Sequence, residues 1–387
     1  MLAIKRPSLS QLLAVALLSL ALVGCRAVPD SGRPRPQPTP TATPGPVEGV
    51  LPTDTSRHRV ALLVPLSGEN AAVGRSLANA ATMALLDTNA ENVRITTYDT
   101  ATGAGTAAAR AIADGNKLIL GPLVREDVTP VLARARPANV PLVTFSNDTS
   151  VASPDVFVMG HVPEQSIFRS VAYASQQGAR RFAALVPNGD YGNRAANALS
   201  LAVAGVNGTL VATERYDRGN TSIVSAAERL NARGSIDAVL VAEGSRLSGM
   251  AAATLKQGIP QVFVLGTELW SGEATLANAA ALRGAWFAAV SDQRYRQFVT
   301  SYQTRFGEEP YRIATLGYDA VLLTLRIARD WQPGRAFPEG RMLAADGFLG
   351  LDGPFRFLST GIGERAMEVR QVGNGTVTVV DPAPTRF

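Results

Sequence analysis

Few side chains in this sequence are of the types that carry out covalent or metal chemistry. The chain of 387 residues has one cysteine, Cys25, and two histidines, His58 and His161. It therefore has no Cys/His cluster of the kind that binds zinc, and it has no cysteine pair for an internal disulfide. Neither histidine belongs to a recognisable Ser-His-Asp arrangement, and no G-x-S-x-G segment is present. We therefore predict no catalytic residues, no metal and no cofactor, and we expect His161 to act as a hinge or hydrogen-bonding residue.

Cys25 lies where a thiol could accept a lipid. Two basic residues near the start precede an apolar run at 12–23, which is shorter than the about 20 residues of a membrane-spanning helix. We therefore interpret 1–24 as a processed signal peptide. The sequence Leu22-Val23-Gly24-Cys25 resembles the lipobox of bacterial lipoproteins, which implies a diacylglyceryl group on Cys25 and a membrane anchor. Residue 26 is Arg26, and the absence of Asp there points, by resemblance, to the outer membrane.

The charge and composition limit the partners of the mature chain. The formal net charge is +5, and about +3 remains once the two basic residues of the signal peptide are removed. No block of lysine and arginine concentrates this charge, so we predict no nucleic-acid partner. Residues 25–56 are rich in proline, as in 33–40, and poor in apolar residues. Such a segment favours extended polyproline II and acts as a spacer, here predicted between the membrane and a folded part.

From Arg59 onward, continuous apolar runs alternate with helical patterns, which indicates parallel sheets covered by helices on both faces. Strands are predicted at 60–64, 93–98, 118–120, 141–145, 182–186, 209–213, 237–241, 262–265 and 285–290. Helices are predicted at 71–89, 104–113, 126–135, 165–177, 193–203, 223–232, 247–257, 292–306 and 312–330. Two successive β–α series predict two similar lobes, and 353–380 alternates like short antiparallel strands.

Five motifs in order resemble those of the type I periplasmic binding proteins, in the branch of leucine/isoleucine/valine-type receptors. They are Val64-Pro65-Leu66-Ser67-Gly68, Gly121-Pro122-Leu123, the segment 140–147, Pro187-Asn188-Gly189-Asp190-Tyr191-Gly192 and Leu316-Gly317-Tyr318-Asp319-Ala320. The resemblance covers nearly everything after residue 57. It implies an α/β fold of two doubly wound parallel-sheet lobes joined by crossovers, with a cleft between them. Lobe one is then 57–159 plus 291–337, and lobe two is 160–290 plus 338–387.

A narrower similarity concerns the penicillin-binding protein activators, which are outer-membrane lipoproteins with this fold. It rests on the segments 62–68, 121–124 and 145–147. This similarity implies a regulator of peptidoglycan synthesis that faces the periplasm and activates a bifunctional penicillin-binding protein by contact. The alternative is a substrate-binding lipoprotein of an ABC transporter for amino acids of the leucine/isoleucine/valine type, with a small amino-acid-like ligand in the cleft.

The resemblance also implies cleft residues, because receptors of this kind hold the carboxylate and the ammonium group of an amino acid. The candidates are Ser67, Asn70, Leu123, Ser146, Asn147, Tyr191 and Glu243. Tyr191 matches an aromatic lid and Glu243 an ammonium partner, whereas the loop after Leu123 lacks the usual hydroxyl until Thr129. The alternatives are that Tyr191 packs on the lobe surface and that Glu243 caps the following helix. Ser67 and Asn70 could equally act as helix N-caps.

Overall fold

The computed structural model describes residues 56–385 and 387, and Leu51–Phe387 forms one compact unit. The predicted signal peptide, the lipid site at Cys25 and nearly all of the predicted linker lie outside the described residues. Within the described part, no helix combines the length and the apolar character that a bilayer crossing requires.

The first lobe is a parallel sheet whose strands are connected by helices. Its strands are β1 His58–Val64, β2 Val93–Asp99, β3 Leu118–Leu120, β4 Leu142–Thr144 and β5 Val156–Val158. Its helices are α1 Ala71–Asp87, α2 Ala104–Ala113 and α3 Arg125–Ala135. The strand order is β2-β1-β3-β4-β5, with every pair parallel. The inner strands β1, β3 and β4 are mainly apolar because helices cover the sheet on both faces.

The second lobe repeats this plan. Its strands are β6 Arg181–Pro187, β7 Thr209–Tyr216, β8 Ala238–Val241, β9 Phe263–Leu265 and β10 Trp286–Ala289. Its helices are α4 Pro163–Gln176, α5 Asp190–Gly205, α6 Ser222–Asn231 and α7 Ser245–Gly258. Separate apolar clusters fill the two faces of this sheet, as two others fill those of the first sheet.

Both lobes bring the first helix close to the first strand by the same means. A Cβ atom on Gly74 would overlap the carbonyl oxygen of Pro65, and one on Gly192 would overlap that of Pro187. Any larger residue would push the helix away from the strand end. These glycines therefore let the loop after the first strand of each lobe lie close to the carboxyl edge of its sheet.

The C-terminal part returns to both lobes. Its elements are α8 Tyr295–Phe306, α9 Ala314–Ala328, β11 Phe348–Gly350, β12 Gly353–Phe357, β13 Gly363–Arg365, β14 Glu368–Val372 and β15 Val377–Asp381. Helix α9 packs in the core of the first lobe, and so do Met342, Phe355 and Phe357. Only β14 and β15 join the second sheet, where β14 pairs antiparallel with β10.

The predicted fold class is confirmed, since two doubly wound parallel-sheet lobes are present. The predicted lobe two contains all of 338–387, and here the structure differs. The large apolar side chains in the first part of that segment fill space against α9, so this part packs with lobe one. The strand β5 lies where the sequence predicts only a break in the alternation of strands and helices.

Candidate functional site

A cleft of about 620 Å³ lies where the carboxyl ends of strands from both lobes face each other. In doubly wound folds, ligands bind at these ends because the connecting loops diverge there. The lining residues are Asn70, Val73, Leu123, Val124, Arg125, Glu126, Phe145, Ser146, Asn147, Asp148, His161, Asp190, Tyr191, Arg194, Glu268, Leu269, Ser271, Arg312 and Ile313. The lining combines apolar side chains with acids, arginines and hydroxyls.

The first lobe contributes two loops that are tied to each other. The Thr144 hydroxyl, at the end of β4, donates to the carbonyl oxygen of Pro122, 2.8 Å away. This bond fixes the β3 loop, which carries Leu123, against the β4 loop. In the β4 loop, the Ser146 hydroxyl oxygen accepts from the amide of Asp148 at 3.1 Å. The lobe-one wall is therefore ordered by its own hydrogen bonds.

The second lobe contributes a tyrosine and a glutamate that contact each other. The Tyr191 hydroxyl, in the first turn of α5, lies 2.9 Å from Thr267 Oγ1 and 3.1 Å from Glu268 Oε1. The other carboxylate oxygen of Glu268 is shielded from solvent and has no hydrogen-bond partner among the described residues. Burial raises the pKa of Glu268 to about 7. Burial also raises the pKa of Tyr191, so its hydroxyl keeps its proton and can donate.

Two arginines connect the lobes across the mouth of the cleft. Arg125 of lobe one lies 3.2 Å from Asp148 and 3.9 Å from Asp190 of lobe two. Arg194 of lobe two donates to the carbonyl oxygen of Asn147, 2.6 Å away. The same guanidinium is held by Glu164 at 2.7 and 2.8 Å. Each lobe therefore presents an arginine at the cleft. Asp148 pairs with Arg125 in lobe one, and Glu164 pairs with Arg194 in lobe two.

The structure brings together five of the seven candidate residues, namely Asn70, Leu123, Ser146, Asn147 and Tyr191. Asn70 precedes α1 but makes no side-chain capping bond.

The other two candidates lie outside the cleft lining. The Ser67 hydroxyl donates to Asp99 at 3.0 Å. Glu243 accepts from the Tyr216 hydroxyl at 3.0 Å and from Arg218 at 2.7 Å. The Glu243 carboxylate is thus already hydrogen-bonded to residues at and just after the end of β7.

Sequence reasoning did not single out Glu268, Arg125 or Arg194. A usable signal existed for Glu268, because it follows the predicted strand 262–265 just as Glu243 follows 237–241. The strand order distinguishes these two acids. Glu268 follows β9, which lies next to β10, whereas Glu243 follows β8, which lies on the side of β9 toward β7. The arginines gave no such signal, because a helical arginine such as Arg125 or Arg194 is common on exposed surfaces and has no distinctive sequence context.

A buried charge cluster lies beside the cleft, where the chain crosses between the lobes. His161 Nε2 is 2.8 Å from Asp352 Oδ2, and Arg312 Nη1 is 2.8 Å from Asp352 Oδ1. Thr315 donates to Asp352 at 2.9 Å. Burial disfavours the carboxylate, yet Arg312 and His161 hold the pKa of Asp352 below its usual range. His161 is therefore a hydrogen-bonding residue, as expected. In the described part of the chain, no group of three or more His, Cys, Asp or Glu residues has the arrangement of a metal site.

Comparisons with known proteins agree with this geometry. A family model described as periplasmic binding protein matches residues 58–376. An uncharacterized protein of Rickettsia prowazekii (strain Madrid E) is 27% identical over 174 residues, which is 44% of this chain. The match covers 47% of that protein, so the chain aligns with about half the length of this curated relative.

Two solved structures share the fold. A putative branched-chain amino acid ABC transporter protein from Rhodospirillum rubrum has a TM-score of 0.72 and 22% identity, covering 84% of this chain and 100% of that one. The branched-chain amino acid transporter substrate-binding protein LivJ from Streptococcus pneumoniae, in complex with isoleucine, has a TM-score of 0.62 and 19% identity. The match covers 85% of this chain and 100% of that chain.

Proposed function

The chain belongs to the periplasmic binding protein family, and on that premise we propose that it is a non-enzymatic receptor that binds an apolar amino acid in its cleft and delivers it to an ABC permease. The observation that carries this proposal is the unpartnered, shielded oxygen of Glu268 beside the Tyr191 hydroxyl. A buried carboxylate oxygen without a partner is costly, and a ligand ammonium group would satisfy it.

The opposite end of the ligand would meet lobe one. A carboxylate there would meet Arg125, which also pairs with Asp148 at 3.2 Å, and the amino end of α3, which begins at Arg125. The side chain of the ligand would lie among the apolar residues of the lining. These are Val73, Leu123, Val124, Phe145, Leu269 and Ile313. Charged groups at two ends with an apolar wall between them suit a zwitterion with an aliphatic side chain. The LivJ structure with isoleucine supports the same ligand class.

This proposal takes the second of the two roles predicted from the sequence. Neither solved structure reported above is a penicillin-binding protein activator, and both belong to branched-chain amino acid transport. Activation of a penicillin-binding protein, and the outer-membrane location that accompanied it, therefore have no support from these relatives. The family supports a periplasmic or cell-envelope location. Lipid attachment at Cys25 remains part of the proposal, and the mass of the mature N-terminal peptide tests it.

A binding screen separates the two roles. The purified protein is titrated with leucine, isoleucine, valine and acidic amino acids while its thermal unfolding is followed. A ligand at 100 times its Kd adds about 2.7 kcal/mol to the free energy of unfolding, so a specific amino acid should raise the melting temperature clearly. If no amino acid changes the melting temperature, while a bifunctional penicillin-binding protein binds the chain, the receptor role is contradicted.

A further inference from the structure

The amino ends of the lobe-one strands carry a row of cations at the end of the lobe opposite the cleft. Arg94 of β2 is in register with Arg59 of β1, and the Lys117 amide, just before β3, donates to the Arg59 carbonyl at 3.0 Å. These three strands are neighbours in the order β2-β1-β3. Residues in register on parallel strands emerge on the same side of the sheet, so the three basic side chains stand next to one another.

Two helices end at the same edge and add further arginines. Arg110 lies in the last turn of α2, and Arg326 lies in the last turn of α9, which Arg329 follows. The indole of Trp331 stacks on His58 at the start of β1, with ring centroids 4.2 Å apart. That contact fixes the end of α9 against the strand edge.

Arg335 lies at this edge as well, because the Trp331 ring nitrogen donates to its carbonyl oxygen at 3.0 Å. We call the surface formed by Arg94, Arg110, Lys117, Arg326, Arg329 and Arg335 the amino-end face.

The charges of this face are not neutralised by the protein itself. None of its six side chains forms an ion pair with another residue in the described ranges. The nearby acids Asp155 and Asp330 are occupied by Arg136 at 2.8 Å and Arg341 at 3.5 Å. Asp114, which follows α2 at this edge, accepts from the Tyr98 hydroxyl at 2.7 Å. The exposed Glu91 is close enough in the chain to weaken the field without cancelling it. The face therefore carries six cations that form no ion pairs in the described part of the chain, and few acids lie beside them.

We propose that the amino-end face docks on the anionic phospholipid surface of the membrane that anchors the chain. The inference rests on the proposed lipid at Cys25 and not on the identity of the solute. The described chain enters this face directly, since β1 begins at His58, and only residues 26–55 separate it from Cys25. Although this spacer favours extended conformations, it is attached at this edge, so it would keep the face within reach of the bilayer and raise its effective concentration there. Basic clusters are attracted to anionic headgroups within about one Debye length.

Docking in this way has a functional consequence for the cleft. The cleft lies at the carboxyl ends of the same strands, so a docked lobe one directs the cleft away from the bilayer. The face would therefore orient the receptor while leaving the cleft accessible to solute.

Vesicle binding of the compact unit Leu51–Phe387, which contains all the apolar cores described and no lipid, tests the proposal. We expect it to co-float with vesicles of phosphatidylcholine and phosphatidylglycerol, not with phosphatidylcholine alone, and to release at high salt. A variant with Arg110→Glu, Arg326→Glu and Arg329→Glu should bind at least about tenfold more weakly. A matched variant of exposed lobe-two arginines, Arg215→Glu, Arg246→Glu and Arg283→Glu, should stay within about twofold of the parent.

Three results would overturn the proposal. They are equal binding to both kinds of vesicle, equal losses in the two variants, and binding to an anionic polysaccharide or nucleic acid without binding to vesicles. Circular dichroism and the thermal unfolding of each variant show whether it is folded. Failure of the receptor role would leave the vesicle result unchanged, because no cleft residue is altered.

Discussion

Two buried acids, Glu268 in the cleft and Asp352 at the crossovers, have opposite surroundings. Asp352 is fully buried, and both its oxygens have partners: Arg312 on one side, His161 and Thr315 on the other. Glu268 has the Tyr191 hydroxyl on one oxygen and no partner on the other within the described chain. The pKa of Asp352 is held low, whereas that of Glu268 is raised to about 7.

The difference separates a structural acid from an acid that can receive a ligand. A carboxylate whose oxygens are all satisfied by the protein stabilises the fold and has no capacity left for a ligand. A carboxylate that lines a cleft and has one unpartnered oxygen is stabilised further when a cation reaches that oxygen. The pair therefore predicts that removing the charge of Asp352 lowers stability, and that removing the charge of Glu268 lowers affinity.

The largest expected effect is on stability. Asp352→Asn removes the fully buried carboxylate that Arg312 contacts at 2.8 Å and leaves only Asp292, 3.6 Å away, beside this arginine. Breaking such a buried pair costs about 3–5 kcal/mol. Urea unfolding followed by circular dichroism measures this loss. The control is Asp330→Asn, whose exposed pair with Arg341 spans 3.5 Å and should contribute less than about 1 kcal/mol. Equal costs for the two variants would show that the crossover cluster is not structural.

The next effect is on affinity. Glu268→Gln removes the ammonium partner, so leucine should bind about 100-fold more weakly at about pH 8 by calorimetry. 4-Methylpentanoate, which lacks the ammonium group, should bind both forms within about threefold. The free energy of unfolding should not fall, because a desolvated carboxylate has been removed. The exposed Glu91→Gln variant should match the parent, and a loss of leucine affinity in that control would refute a specific role for Glu268.

A smaller effect follows from pH. The folded pKa of Glu268 is raised to about 7, so the ligand-free side chain is mainly protonated below that pH and ionised above it. The ammonium group of leucine favours the ionised form, so affinity should rise with pH. The apparent Kd should increase about tenfold from about pH 8 to about pH 6. Titrations at several pH values measure this, and a flat profile would contradict the ionisation of Glu268 on binding.

The smallest effect concerns the acid that the sequence favoured. Glu243 is engaged by Tyr216 and Arg218 outside the cleft lining, so Glu243→Gln should change the leucine Kd by less than about twofold. A loss as large as that of Glu268→Gln would show that Glu243 also contributes to binding and would contradict its exclusion from the cleft.

The regular elements were largely predictable because each leaves a local signal. The helix predicted at 104–113 and the strand predicted at 118–120 have those same bounds in the structure. The three-residue strand β5, Val156–Val158, was missed although β3 is equally short, because no α-helix separates β5 from β4 and the strand–helix alternation is interrupted there. The placement of Met342, Phe355 and Phe357 against α9 depends on packing between distant segments, which no local pattern reports.

The site was predictable only in part for a related reason. The cleft positions of residues that follow strand ends, such as Ser146 and Tyr191, were predictable because ligands of such sheets bind at the carboxyl edge. The choice between Glu243 and Glu268 depends on strand order and on which neighbours already occupy each carboxylate. Arg218 beside Glu243 is 25 positions earlier in the chain, and its contact is a product of the fold.

The most direct measurement of the central claim is a count of protons released when leucine binds. Calorimetry at about pH 6.5 in two buffers of different ionisation enthalpy gives this number. A Glu268 pKa of about 7 predicts release of about three quarters of a proton per leucine, and Glu268→Gln should release none. Binding without proton release, or the same release from both proteins, would contradict the assignment of Glu268 as the ammonium partner.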